Sequence, residues 1–319
     1  MILQAKPLIE WPEAAVEYVG FVAQFVAIGA VGFRYAAVRD RLRATRNVGA
    51  TGDGRFYAYA CARAARIALL GAIISAILFA MRLPENAARA HTTVAGLLTH
   101  DPIVGAQALL TIAGVLGLLV AAARAAWGWP IAALGILFGP LAGILSGEWA
   151  RLVNPLHRVV GGLWIGTLFV LVVAGLVPLL RDAPWRERRG TIASDMVNGF
   201  SPLALRCGAV VVLSGAVTAY RHLTPLSSLV TTPYGWALLV KLALVAVVFA
   251  LGAWNWRRQR PALGAESAAI AIRRSSVKEL AVATLVLAVT AVLVSLPSPR
   301  RMNAPPPAGA APPAAPAGP

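Results

Sequence analysis

Long apolar runs alternate with short charged connections along this chain. Eight such runs cover roughly residues 14–38, 57–81, 103–123, 129–146, 157–180, 202–220, 235–255 and 278–296. Each is about 18–25 residues, the length a helix needs to cross a hydrocarbon core of about 30 Å. The pattern predicts an all-α, polytopic membrane protein with eight transmembrane helices. A hydrophobic fraction of 58% agrees with that class and excludes an ordinary soluble domain.

Charge adds orientation. Arg34, Arg39, Arg41, Arg43, Arg46 and Arg55 follow the first run, Arg181, Arg186, Arg188 and Arg189 the fifth, and Arg257, Arg258, Arg260, Arg273 and Arg274 the seventh. The alternate connections are poorer, with Arg82 and Arg89, then Arg151 and Arg158, then Arg221 alone. The positive-inside rule puts the rich connections in the cytoplasm and both termini in the periplasm. Glu10, Glu13 and Glu17 stand where a signal peptide would be positive, so no cleavable signal is expected. The net charge of +16 lies in these short connections, which argues for lipid as the partner and against nucleic acid. An arginine- and alanine-rich composition points to a bacterial chain, and hence to the inner membrane.

The runs divide the chain into a four-helix membrane region over 1–145 and a second over 146–297, where the polar features are better defined. Residues 298–319 are proline- and alanine-rich and read as a disordered tail. Arg41 to Arg55 read as a flexible loop. Cys61 and Cys207 make no disulfide framework and read as buried thiols.

Candidate chemistry gathers on one side. His91, His100, His157 and His222 all fall in or beside the outer connections. Outward imidazoles in a membrane protein invite copper or haem iron. His157 opens the fifth run after Pro155, and His157, Gly161 and Trp164 share a face by i, i+4, i+7 spacing. Gly161, Gly162 and Gly166 admit another helix closely. His222 closes the sixth run and faces His157 if the two helices pack antiparallel. The loop holding His91 and His100 follows Met81 and could fold over the outer mouth. Glu148 either completes a site with His157 or pairs with Arg151. Lys241 lies inside the seventh run on the face of Tyr234, where a charge is costly unless it snorkels or finds a carboxylate, the tyrosine or helix carbonyls. Ser276 and Glu279 form the S-x-x-E of a capping box opening the eighth run. The candidate metal ligands are therefore His157, His222, His91, His100 and Glu148, with Trp164, Tyr234 and Lys241 as further functional positions. Neutral imidazole binds copper, so binding should weaken as pH falls through about 6.5. No P-loop, H-E-x-x-H or C-x-x-C is present, and the chain is not expected to be an enzyme.

The segments LHRVVGGLWIGTLFVL (156–171), NGFSPLALRCGAVVVLSGAVTAY (198–220), TTPYGWALLVKLALVAVVFALGAWN (231–255) and IRRSSVKELAVATLVLAVTAVLVSLP (272–297) resemble, in that order, the copper-resistance D (CopD) family of bacterial inner-membrane proteins. His157, Trp164, Gly166, Phe200, Ser201, Tyr234, Gly235, Lys241, Asn255, Arg274, Ser276, Val277 and Glu279 occupy the family's positions. Members often carry a small-residue–histidine pair before His157; here that place reads SGEWA, with Glu148. The resemblance implies copper ions as cargo, moved from periplasm to cytoplasm, often with a periplasmic copper-binding partner. The competing expectations are a haem-binding membrane electron carrier, with His157 and His222 as axial ligands, and a non-transporting scaffold for cuprous-oxidase assembly.

Overall fold

Apolar helices longer than the bilayer is thick dominate the computed structural model, which describes residues 9–48, 52–223, 226–259 and 266–297. In chain order they are α1 (Trp11–Gly32), α2 (Arg39–Val48), α3 (Gly52–Arg89), α4 (Val94–His100), α5 (Pro102–Ala122), α6 (Gly128–Phe138), α7 (Val153–Gly161), α8 (Thr167–Val170), α9 (Val177–Arg181), α10 (Arg189–His222), α11 (Ser228–Thr231), α12 (Pro233–Gln259) and α13 (Glu266–Ser295). Wide π-type turns extend α1 over Phe33–Ala37 and join α7, α8 and α9 over Gly162–Gly166 and Leu171–Leu176, so 153–181 is one nearly continuous rod.

Among the described residues seven helices are long and apolar enough to cross a membrane, not eight. The exception is the expected fourth span, 129–146. There α6 stops after 11 residues and a 3-10 segment, Ala142–Ser146, takes over. Pro140 is the cause: it has no N–H for the helical ladder. The Leu141 amide turns instead to the Phe138 carbonyl at 3.0 Å and the Ala142 amide to Gly139 at 3.2 Å. Gly147, at φ +69°, then reverses the chain.

Two polar belts mark the ends of the bundle. At one, Arg41 donates to Asp195 at 2.6 Å, Tyr57 to the other Asp195 oxygen at 3.0 Å, and Arg188 to Asp53 at 2.5 Å. At the other, Arg82 pairs with Glu17, Thr218 donates to Asn154 at 2.9 Å, and Arg221 to the Ala150 carbonyl at 2.6 Å. We call these the arginine end and the histidine end. The end of α3 and the start of α7 both lie at the histidine end. The chain between them descends along α5, and α6 with its 3-10 extension climbs back beside it.

α1 is the hub. It packs on α3, on the 162–166 turn, on α8 and on α13. The approach is closest at Gly29 and Gly166, where a methyl group on either would collide with the other helix's backbone. The helix that the glycines of 161–166 admit is thus α1. Core residues come from both halves of the chain: Ala27, Phe33, Phe56, Tyr57, Leu171 and Met196 belong to one cluster.

Several helices outrun their apolar windows. α10 begins at Arg189 rather than 202, because Ile192, Ala193 and Met196 already face the core. α2 occupies the stretch read as a flexible loop, with residues 49–51 outside the described residues. α13 begins at Glu266, which overturns the capping box: Ser276 and Glu279 sit mid-helix and are buried, 5% and 8% exposed. The proline-rich 298–319 lies outside the described residues.

Candidate functional site

α7 and α10 place the principal histidine. Their antiparallel contact brings His157 Nδ1 to 3.0 Å from Ser214 Oγ, which itself donates to the Val210 carbonyl at 2.6 Å. Gly215 makes room: a side chain there would press on the His157 ring at 3.2 Å. Lys241 lies inside the membrane-spanning α12.

His222 addresses α10's last turn. Its Nδ1 lies 2.8 Å from the Thr218 carbonyl, and its ring stacks on Tyr234 with centroids 6.4 Å apart. The anchors of the two imidazoles, Ser214 and Thr218, are one helical turn apart, about 6 Å. That gives His157 and His222 a common end of the bundle.

The remaining candidates are elsewhere. His91 closes α3 in a left-handed conformation, φ +53°, and is exposed. His100 ends α4 with Nδ1 2.9 Å from the Gly96 carbonyl. α4 packs on α3 and α5. Glu148 forms an exposed ion pair with Arg151 at 2.9 Å, the simpler of its two readings. Among the described residues no three of His, Cys, Asp and Glu stand together as a ready metal cage. Cys61 and Cys207 are free and buried.

Two features escape sequence reasoning. Trp164 stacks against Phe249 of α12, centroids 4.7 Å apart, with Gly208 of α10 beneath the phenylalanine. Below that aromatic pair, Asn255 donates to the buried Glu279 carboxylate. Along α12, Lys241, Phe249 and Asn255 descend in steps of eight and six residues, about 12 and 9 Å. A polar layer, an aromatic layer and a second polar layer therefore follow one another from the histidine end inward. Asn255 and Glu279 were already legible as motif positions, but S-x-x-E before an apolar run looks like a helix start. Only the helical continuation back to Glu266 shows otherwise.

This arrangement defines a multi-pass, all-helical membrane protein with polar groups held between its carboxy-terminal helices. Residues 194–293 match the family model of copper resistance protein D. The chain is also 34% identical over 151 residues to the copper transport protein CutJ of Bacillus subtilis (strain 168). That stretch is 46% of this chain and 25% of the relative, so the chain spans about a quarter of the relative's length. No solved structure matches the chain. His222, Tyr234, Lys241, Asn255 and Glu279 lie inside the family segment, and His157 lies before it.

Proposed function

We propose that this protein carries copper ions across a bacterial inner membrane, from periplasm to cytoplasm. The observation that carries the reading is the family segment falling on α10, α12 and α13, the helices that supply most of the layered polar path. His157 receives the ion at the histidine end, which is periplasmic in this reading, with His222 one turn away. Imidazole suits copper in either oxidation state. His91, His100 and Glu148 play at most a capture role at the rim, where a periplasmic copper-binding protein delivers the ion. The Lys241 ammonium repels cations, so it acts as a gate or a helix clamp and not as a ligand. The Trp164–Phe249 pair separates the outer layer from Asn255 and Glu279, which lie nearer the cytoplasmic side in this reading.

The test is copper content in cells that lack the gene, complemented by wild type or by His157→Ala at matched protein level. Wild type should raise cell copper above the gene-less strain, and His157→Ala should not. Equal copper in all three strains would rule the reading out.

A further inference from the structure

The amino-terminal helices hold a cavity with four polar side chains in its lining, outside the family segment. It measures about 120 Å³, room for several waters, and lies between α1, α3, α5 and the interrupted α6. Gln24, Ser75, Gln107 and Thr111 line it, together with Ile136 and Pro140. Gln24 is the middle residue of the span Trp11–Ala37, so the cavity sits near mid-membrane.

Three of its four polar side chains, those of Gln24, Ser75 and Gln107, have no protein hydrogen-bond partner among the described residues. The Ser75 hydroxyl is buried without a hydrogen bond. Neither glutamine amide receives or makes one among the described residues. Thr111 donates to the Gln107 carbonyl at 2.7 Å, which leaves its oxygen lone pairs free. Pro140 denies the Ile136 carbonyl its usual helical donor. In a hydrocarbon layer, groups left this way are costly, each by several kcal/mol at the upper end. A small polar ligand in the cavity would satisfy them.

The chemistry of the lining narrows what that is. All donors are neutral oxygens or amides. Soft copper(I) prefers thiolate, thioether or imidazole, and the cavity has none. Calcium and magnesium need carboxylates, also absent. An anion is disfavoured because α6 presents its carboxy-terminal, negative end. A broken helix that offers free carbonyls near mid-membrane suits a small alkali cation.

We propose that this cavity is an alkali-cation site, in which the side-chain oxygens of Gln24, Ser75, Gln107 and Thr111 hold one sodium-sized ion. The inference does not depend on the copper reading, and its assay contains no copper.

The experiment is radioactive sodium binding to the purified full chain in nanodiscs of neutral lipid, with choline chloride holding ionic strength. Wild type should bind sodium saturably, close to one per chain. Gln24→Leu and Gln107→Leu, which keep side-chain volume, should each weaken binding by about tenfold or more. If either elutes as misfolded protein, the isosteric Thr111→Val takes its place and should weaken binding in the same direction. Absence of saturable binding in wild type, or unchanged affinity in the folded variants, would mean that the cavity holds only water.

Discussion

An imidazole buried between apolar helices is costly unless a ring nitrogen has a partner, and Ser214 supplies one to His157. Ser214→Ala should therefore reduce thermal stability, by about 1–3 kcal/mol for the orphaned ring nitrogen, in a detergent melting assay. A larger loss is expected in copper handling from His157→Ala, at least the ~10–100-fold that losing an outer-shell partner costs a metal site, read by equilibrium binding to purified protein. His100→Ala should leave affinity near wild type, because α4 packs on α3 and α5. Lys241 separates two roles. Lys241→Met keeps length and removes charge; if the charge gates the path, copper uptake changes while the protein level holds. Full wild-type uptake would reduce the lysine to a snorkelling side chain. His157 and Lys241 were legible from the sequence because a polar residue inside an apolar run stands out. Ser214 was not: a lone serine in a helix is ordinary until another helix brings a histidine to it.

At the scale of elements, the apolar windows located every long helix but not its ends. Ile192 and Met196 fall outside the sixth window, yet they are core residues, because α10 continues past the bilayer boundary into the arginine end. The fourth window was long enough to span, but composition alone could not weigh Gly139–Pro140 against the apolar residues around them. The glycines of 161–166 were legible as a packing face, while their partner, α1, lies more than a hundred residues earlier. Gly166→Ala tests that contact. Its methyl group would meet the Phe25 carbonyl and Gly29, with no flexible side chain to give way. We expect destabilisation of about 1–3 kcal/mol or more, seen as a lower melting temperature and less protein in the membrane. The same substitution at Gly143, where the nearest atom would be 3.7 Å away, should be tolerated.

For the whole molecule, arginine asymmetry and bundle geometry concern the same two ends. Asp195, Asp53, Arg41 and Arg188 meet at the one, and Glu17, Arg82, Asn154 and Arg221 lie at the other. Which end faces the periplasm is a question of charge. The arginine count predicts that the histidine end lies outside. Alkaline phosphatase fused after residue 297 should then be active, and a fluorescent protein fused there dark. The reverse result would turn the molecule over and take the periplasmic histidine site with it. The most direct test of the central claim is copper flux through the protein alone. Purified protein in liposomes loaded with a copper-sensitive dye should admit externally added copper faster than empty liposomes, and His157→Ala should bring the rate back towards the empty baseline. Wild-type flux no greater than that of empty liposomes, or equal flux through His157→Ala, would contradict a copper path that begins at His157.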